Sequence, residues 1–306
     1  PSSTLGSWWV SASPIAVRRT SRTAVGFPVV SPWRAILPSM ADPTSPLALG
    51  NLFDLTGKVA VVTGGSRGIG FMIASGLVAN GVRVYITARK AEPCDAAAAE
   101  LSEHGECISI PADLSTDEGV ASFVGALTER EAQVDILVNN AGAAWGAPLG
   151  EFPEIGFDKV MDINVKAPFM LTQALLPQLR AGATAEDPAR VIMIGSIDGI
   201  RVPIGDNYSY SASKAGVHMM ARHMAAHLVK DNITINSIAP GPFESKMMAY
   251  RLDDPNSRKM VEASVPRKRI GSPEDVAGTV IFLAGRAGVF TTGAVIPVDG
   301  GISTLN

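Results

Sequence analysis

A glycine-rich turn between a strand pattern and a helix pattern constrains this chain more than any other stretch. Residues 58–70 read Lys-Val-Ala-Val-Val-Thr-Gly-Gly-Ser-Arg-Gly-Ile-Gly. The apolar, β-branched run at 59–62 predicts a strand buried on both faces of a parallel sheet, and residues 71–78 have helical periodicity. The start of a helix offers unpaired N–H groups to an anion, and glycines let a phosphate approach the backbone closely. The turn therefore predicts a pyrophosphate site.

The spacing of these glycines leaves an alternative open. Gly64, Gly68 and Gly70 give the pattern G-x-x-x-G-x-G, whereas the general dinucleotide fingerprint is G-x-G-x-x-G. An ordinary glycine-rich turn has the same residues, so the turn by itself does not decide between the two interpretations.

Strand and helix patterns alternate along the rest of the chain. Strands are predicted at 59–62, 82–88, 107–111, 135–138, 191–194, 233–238 and 295–298. Helices are predicted at 71–78, 92–104, 116–130, 152–179, 208–230 and 273–283, with Thr116 and Ser272 as caps. This alternation predicts a single α/β domain with a Rossmann-type, doubly wound parallel sheet of about seven strands and helices on both faces.

Composition limits the domain count and the class of function. With 306 residues and 46% hydrophobic residues, the chain can bury one sizeable core but not two large ones. A net charge of −3 argues against nucleic-acid binding, and no apolar run reaches the length of a membrane span. The two cysteines, Cys94 on a predicted helix surface and Cys107 in a predicted strand, favour a reducing compartment and receive no chemical role. No metal site is predicted.

The first 41 residues differ in composition from the rest. They contain four arginines, many serines and threonines and three of the four tryptophans, but no acidic residue. This composition is typical of an organelle transit peptide, and the alternative is a translated leader before a start at Met40. We expect residues 1–41 to lie outside the fold and to be disordered, 42–56 to be a lead-in and 57–306 to form the domain. The expected location is the cytoplasm, or an organelle matrix if the transit interpretation holds.

The end of the second predicted strand indicates which dinucleotide would fit. An acidic residue there suits the ribose of NAD, whereas an arginine suits the extra phosphate of NADP. The strand ends in Thr87-Ala88-Arg89-Lys90 without an acid, and Arg67 in the glycine turn could reach the same phosphate. These residues favour NADP(H), the alternative being two solvated surface cations.

Tyr210 and Lys214 form a candidate acid–base pair. They lie four residues apart on a predicted helix and therefore share a face. A nearby ammonium lowers the pKa of a phenol, which would make Tyr210 a general acid able to protonate a forming alkoxide. Ser196 follows the fifth predicted strand at the edge of the sheet where ligands bind, and its hydroxyl could hold a carbonyl oxygen. Each of these residues is common in proteins without such a role.

As a set, these residues resemble the short-chain dehydrogenase/reductase family in its single-domain form, over about residues 55–301. Within that family the chain is most similar to the 3-oxoacyl-[acyl-carrier-protein] reductases, including the branch associated with rhamnolipid synthesis. The matching residues are Thr63 to Gly70, Asn139-Asn140-Ala141-Gly142, Asn164, Ser196, Tyr210 with Lys214, Pro240-Gly241 and Val298-Asp299-Gly300-Gly301.

The resemblance implies a role for each residue of the site. Tyr210 would donate the proton, Lys214 would lower its pKa and bind the nicotinamide ribose, and Ser196 would orient the carbonyl. Asn164 would hold a water that links Lys214 to solvent. The residues expected to contact NADP(H) are Gly64, Ser66, Arg67, Gly68, Ile69, Gly70, Arg89, Asp113, Leu114, Asn140, Ala141, Gly142, Tyr210, Lys214, Pro240, Gly241, Phe243 and Ser245.

Two departures from the family pattern affect these expectations. The segment from Ser196 to Tyr210 spans fourteen positions, one more than the resemblance implies, so its loop is expected to be reshaped. Ser245 stands where the family often has Thr near the nicotinamide carboxamide, and a hydroxyl is retained.

The expected function is NADPH-dependent reduction of a ketone to a secondary alcohol, with a 3-oxoacyl thioester as the first substrate. The alternatives are another ketone or alcohol, such as a sugar, steroid or xenobiotic, and a non-catalytic NADP-binding regulator. Residues 241–271 are expected to form a substrate lid, with Phe243, Met247, Met248 and Tyr250 as apolar contacts and a basic cluster at 267–269. An acyl carrier protein is a candidate partner, and the resemblance implies a homotetramer.

Overall fold

A seven-stranded parallel sheet forms the centre of the fold, which the computed structural model describes for residues 44–305. The strand order is β3-β2-β1-β4-β5-β6-β7, and every neighbouring pair is parallel. The order reverses direction between β1 and β4, which is where open α/β sheets bind ligands. The strands are β1 Val59–Thr63, β2 Arg83–Thr87, β3 Cys107–Ser109, β4 Ile136–Asn139, β5 Ala189–Ile194, β6 Ile233–Pro240 and β7 Val295–Val298.

Helices cover both faces of this sheet, and the predicted doubly wound fold is confirmed. Alternate strand residues face opposite sides, so that Ala60 and Val62 join one buried cluster while Val59 and Val61 join the other. The helices are α1 Leu49–Phe53, α2 Gly68–Ala79, α3 Ala91–Ser102, α4 Asp117–Thr128, α5 Glu154–Met161, α6 Ala167–Ala174, α7 Leu176–Ala181, α8 Tyr208–Leu228, α9 Ala249–Leu252, α10 Pro255–Ser264 and α11 Pro273–Ala284.

The single long helix predicted at 152–179 is wrong. A π-helical segment, Asp162–Lys166, separates α5 from α6, and a second break at Leu175 separates α6 from α7. Pro168 has no N–H to donate to the carbonyl four residues earlier, and the same holds for Pro177, so each proline opposes a continuous α-helix. The π segment is the part that carries Asn164.

Several smaller predictions can also be compared with the structure. The helix caps are confirmed, because Thr116 Oγ1 accepts from Gly119 N at 3.0 Å and Ser272 N donates to the Asp275 carboxylate at 2.8 Å. Cys94 does not lie on a helix surface but is fully buried in α3. Burial raises the pKa of the Cys94 thiol to about 11, which makes it unreactive.

The chain before β1 is described only in part. The segment predicted as a lead-in, 42–56, is described from residue 44 and contains the short helix α1. The predicted leader at 1–41 lies outside the described residues. Between residues 44 and 305, no helix combines the length and the apolar character needed to cross a membrane.

Candidate active site

The turn between β1 and α2 has backbone geometry that other residues cannot adopt without strain. Gly64 and Gly68 have positive φ angles, +66° and +55°. A Cβ on Gly70 would collide with the Gly64 carbonyl oxygen and with Nδ2 of Asn140. No side chain caps the start of α2 at Arg67, and the first turn of that helix has no acidic residue. The turn therefore leaves a space at a helix N-terminus that suits an anion.

A second wall of this space is formed by the residues that follow β4. The backbone N–H groups of Asn140 and Ala141 both donate to Thr63 Oγ1, each at 2.8 Å. Asn140 Nδ2 donates to the Thr63 carbonyl oxygen at 2.8 Å. Thr63 thus fixes the loop after β4 against the glycine turn, a role that the sequence analysis did not assign. The available signal was a single hydroxyl at the end of an otherwise apolar strand.

Two arginines, Arg67 in the glycine turn and Arg89 just after β2, lie on the segments that border this space. Arg67 and Arg89 are both exposed, and neither forms an ion pair with any described residue. Thr87 Oγ1 is buried at the same strand end without a hydrogen-bond partner among residues 44–305. An open glycine turn, two uncommitted guanidinium groups and an unpaired hydroxyl fit the adenosine and phosphate end of NADP(H).

The remaining predicted adenosine contacts lie after β3. Asp113 is partly buried, and its Oδ1 accepts from Ser115 N at 3.1 Å and from Ser115 Oγ at 2.6 Å. Leu114 is buried in the core on the α4 side of the sheet. These bonds fix the Asp113 carboxylate at the carboxyl edge of the sheet.

Tyr210, Lys214 and Ser196 meet where β5 ends against α8. Lys214 is buried, its Nζ donates to the Ile194 carbonyl oxygen at 2.7 Å, and it lies 5.6 Å from the centre of the Tyr210 ring. Ser196 is buried, and its hydroxyl is near enough to Tyr210 to lower the pKa of the phenol. The same hydroxyl oxygen accepts from Asp198 N at 3.1 Å. The three residues predicted to carry the chemistry are therefore brought together.

The electrostatics of this group differ from the prediction. Burial raises the pKa of Tyr210 to about 12, the hydrogen bond with Ser196 lowers it, and the charge of Asp198 raises it. Burial lowers the pKa of Lys214 to about 8. The expectation that Lys214 brings the tyrosine pKa below its usual value is thus not met, because removing the phenolate from water is the larger effect. Tyr210 is a neutral phenol at pH 7 and can donate a proton.

Asn164 is held in the π-helical segment beside the same group. Its Nδ2 donates to Ser213 Oγ at 2.9 Å and to the Ala143 carbonyl oxygen at 3.0 Å, and its Oδ1 accepts from Ala143 N at 2.8 Å. A Cβ on Gly142 would lie 3.0 Å from Asn164 Oδ1 and 3.7 Å from Lys214 Nζ, so the loop, the amide and the lysine are adjacent. The expected link from Lys214 to solvent through Asn164 stays a prediction.

The chain beyond β6 returns over the glycine turn. A Cβ on Gly241, next to Pro240, would lie 2.8 Å from Asp299 Cα, and a Cβ on Gly68 would lie 3.2 Å from Ser245 Cβ. The structure thus brings Ser245 to the predicted cofactor site. Phe243, by contrast, was predicted as a lid contact but is 2% exposed and packs in the core against Gly271.

Two side chains of the predicted basic cluster at 267–269 form interactions within the fold. Arg269 forms an ion pair with Asp275 at 2.5 Å, and Lys268 Nζ donates to the Ala263 carbonyl oxygen at 2.7 Å. Met247 and Tyr250 are exposed on the same excursion, 40% and 78% respectively. Met248, the remaining predicted apolar lid contact, is half-buried, so only Phe243 of the four is buried in the core.

Comparison with known proteins agrees with this geometry. Residues 64–303 match the family model described as enoyl-(acyl carrier protein) reductase. The rhamnolipids biosynthesis 3-oxoacyl-[acyl-carrier-protein] reductase of Pseudomonas aeruginosa is 50% identical over 249 residues, covering 81% of this chain and 97% of the relative. The short-chain dehydrogenase/reductase PhomF of Diaporthe leptostromiformis is 33% identical over 280 residues, covering 84% of this chain and 95% of the relative. This chain belongs to the short-chain dehydrogenase/reductase family.

A solved structure supports the same assignment. The Pseudomonas aeruginosa RhlG/NADP active-site complex aligns with a TM-score of 0.81 at 50% identity, covering 82% of this chain and 98% of the other. The chain is therefore an oxidoreductase of the family in its single-domain form, as the resemblance implied.

Proposed function

We propose that the protein reduces the ketone of a 3-oxoacyl thioester to a secondary alcohol with NADPH. The observation that carries the proposal is the group formed by the buried Ser196 and Lys214 and the half-buried Tyr210, together with the open glycine turn. The 50% identity to a 3-oxoacyl-[acyl-carrier-protein] reductase supports the substrate class.

The residues of the proposed site have separate roles in this reaction, namely cofactor binding, orientation of the carbonyl and proton donation. The glycine turn, Arg67 and Arg89 hold the cofactor, and Arg89 selects the form with the extra phosphate. When bound, NADPH supplies a hydride to the carbonyl carbon. Ser196 and Tyr210 both donate hydrogen bonds to the carbonyl oxygen, which orients it and stabilises negative charge as it develops. Tyr210 then gives its phenolic proton to that oxygen, which completes the alcohol.

Apolar side chains flank the site on two sides and suit an acyl chain. Val202 and Ile204 are 89% and 90% exposed on the loop between Ser196 and Tyr210, and Met247 and Tyr250 are exposed on the lid segment. Solvent exposure of such side chains is unfavourable, so covering them with an acyl chain would favour binding. We infer that residues 241–271 close over this chain as a substrate lid.

A substrate panel tests the proposal. We expect NADPH oxidation to be fastest with 3-oxoacyl thioesters and to increase with acyl length, because a longer chain covers more of the exposed apolar surface. Small ketones, keto sugars and steroid ketones are the comparison set. A clear preference for any of these would assign the protein to another ketone. Comparing the same acyl group on an acyl carrier protein and on coenzyme A shows whether the carrier protein is itself a partner.

The variant Tyr210→Phe tests the mechanism. It removes the proposed proton donor but keeps the ring, so NADPH binding and thermal stability should be retained. Turnover should fall by about 10²- to 10⁴-fold, the loss typical of a missing general acid. Near-wild-type turnover would favour the non-catalytic NADP-binding interpretation.

We also propose that the protein assembles as a homotetramer through α5, α6 and α8. Ile155, Phe169 and Met219 lie on these helices and are 73%, 42% and 61% exposed. Burying such side chains between subunits would favour assembly. Light scattering at micromolar concentration should give four times the chain mass, and a monomer would contradict the proposal.

A further inference from the structure

A buried histidine contacts the candidate active site but has no role in the reaction proposed above. His218 lies four residues after Lys214 on α8, so Tyr210, Lys214 and His218 follow one another along one face of the helix. It is 6% exposed, with Nε2 at 2.9 Å from the Ser196 carbonyl oxygen and Nδ1 at 2.8 Å from Ser237 Oγ. The ring therefore joins α8 to the turn that carries Ser196 and to β6.

The partners of the ring fix its protonation state. The Ser196 carbonyl oxygen can only accept, so Nε2 carries the proton. In a neutral ring Nδ1 then accepts from the Ser237 hydroxyl, which lies 2.8 Å away, nearer than the other acceptor of that hydroxyl, the Met193 carbonyl oxygen at 3.2 Å. Burial lowers the pKa of His218, its bond to Ser196 raises it, and the charge of Lys214 lowers it further. Ser196 and Ser237 face the ring with uncharged groups. The neutral ring therefore makes both hydrogen bonds at pH 7.

The backbone of the Ser196 turn packs directly on the ring. A Cβ on Gly195 would collide with the imidazole, and a Cβ on Gly199 would lie 2.9 Å from His218 Cδ2 and 2.6 Å from Ala215 N. The two glycines let the turn approach α8 closely enough for the hydrogen bond to form. The position of Ser196 relative to Tyr210 is thus fixed by the hydrogen bond from His218 and by the packing of Gly195 and Gly199 on its ring.

We propose that His218 is a positioning residue, which sets the Ser196 hydroxyl against Tyr210 by holding the Ser196 carbonyl. The proposal rests on the proposed function, because it acts only through the role of Ser196. Without the imidazole, the Ser196 carbonyl oxygen keeps only its bond from Gly199 N, at 3.0 Å within the turn itself, and the turn loses its link to α8. A misplacement of about 1 Å at a reacting group can cost about 10²-fold in rate.

The variant His218→Leu tests this inference. We expect kcat to fall by about 10- to 100-fold while the Kd for NADPH stays within about twofold, because the ring does not touch the predicted cofactor contacts at the glycine turn. His218→Gln can donate to Ser196 and accept from Ser237, so it should recover most of the loss. His223→Leu is the matched control, since His223 is exposed on the same helix, and its kcat should equal that of the wild type.

A double variant separates positioning from a general loss of stability. In a Ser196→Ala background no hydroxyl remains to be positioned, so adding His218→Leu should lower kcat by less than about twofold. An equal further loss in that background, or wild-type kcat in His218→Leu itself, would overturn the inference.

If His218→Leu does not fold, Ser237→Ala takes its place, because it frees one side of the ring. A kcat equal to that of the wild type in Ser237→Ala would then overturn the inference. Wild-type turnover in Ser196→Ala would instead contradict the proposed function.

Discussion

At Tyr210, burial and hydrogen bonding act on the pKa in opposite directions. Burial raises it to about 12 and the hydrogen bond with Ser196 lowers it, so the phenol is neutral over the physiological range. A neutral phenol is the form that protonates an alkoxide, whereas the reverse reaction needs the phenolate to take a proton from the alcohol. Near pH 7 the phenol is therefore in the form that ketone reduction would require.

The raised pKa of Tyr210 predicts different pH dependences for alcohol oxidation and ketone reduction. Alcohol oxidation should rise by about tenfold per pH unit on the alkaline side of neutrality, because the phenolate fraction grows in that proportion below the pKa. Ketone reduction uses the protonated phenol and should not rise. Measuring kcat/KM against pH in both directions checks this, and Tyr210→Phe should abolish the alkaline rise. A common slope in both directions would show that another group controls the proton transfer.

At Arg89, the exposed guanidinium predicts the cofactor preference. The wild type should use NADPH in preference to NADH, and Arg89→Ala should weaken NADPH binding by roughly 10- to 100-fold because a charge-assisted hydrogen bond is lost. Its kcat/KM with NADH should change little, since NADH lacks the phosphate. Arg130, an exposed arginine on the chain after α4, offers a control as Arg130→Ala. Equal use of both cofactors by the wild type would refute the preference.

At the scale of elements, the packing of α2 against the glycine turn and the loop after β4 requires that residue 70 has no side chain. Gly70→Ala would drive a methyl group into the Gly64 carbonyl oxygen and Asn140 Nδ2. We expect it to lower the free energy of unfolding by about 1–3 kcal/mol, as overpacking does, and to weaken cofactor binding. Gly125→Ala is the matched control, because Gly125 is exposed within α4 and a Cβ there meets nothing within 4 Å.

The two glycine variants should move in opposite directions. Gly125→Ala should stabilise the protein by up to about 1 kcal/mol through the higher helix propensity of alanine. Urea unfolding of both variants measures the difference. If Gly70→Ala were as stable as Gly125→Ala, the close approach of α2 to the glycine turn would not be needed for folding.

The elements also show what the sequence could and could not predict. The central strands β1, β4, β5 and β6 were found because their apolar runs are buried on both faces. The glycine turn was found because closely spaced glycines after a strand are typical of a phosphate-binding turn. The break in the helix predicted at 152–179 was missed because its apolar periodicity continues across Pro168 and Pro177, and a proline near a helix start is tolerated. The burial of Phe243 was missed because a contact with Gly271 depends on tertiary packing alone.

The roles proposed for Ser196, Tyr210 and Lys214 rest on the family resemblance more than on spacing and burial. The helical spacing of Tyr210 and Lys214 was correct, but the sign of the tyrosine pKa shift depends on how much water the fold excludes, and spacing does not report that. The side chains of Thr63 and His218 form hydrogen bonds with backbone atoms of distant residues, and a pattern of side chains in the sequence does not reveal such bonds.

At the scale of the whole molecule, the sheet order places every part of the site at one edge. The glycine turn follows β1, the Asn140 loop follows β4, and Ser196 follows β5, and all three strands are neighbours in the sheet. Because the strands are parallel, their carboxyl ends meet there, and α8 brings Tyr210 and Lys214 to the same edge. Residues that are far apart in the sequence thus need no further domain to form one site on an ordinary α/β sheet.

This organisation predicts which part of the chain can be removed. The seven strands of the described sheet, its two large core clusters and each residue of the proposed site lie between residues 44 and 305. A protein that begins at Met40 should therefore unfold at the same temperature as the full chain and retain kcat/KM within about twofold, because the removed segment has the composition of a transit peptide or leader. Thermal unfolding, activity and light scattering on both proteins measure this.

A longer deletion provides the comparison. Beginning at Leu55 also removes α1, whose backbone closes over Gly285: a Cβ on Gly285 would lie 2.8 Å from the Leu52 carbonyl oxygen. Gly285 in turn accepts a hydrogen bond from the buried Arg190 at 3.4 Å, so the loss of α1 would let water reach that guanidinium. The unfolding temperature should fall for this deletion and not for the shorter one. If removing residues 1–39 lowered it as much, or changed the mass in solution, the leader would be part of the folded or assembled protein, because a segment that binds nothing in the native state cannot stabilise that state.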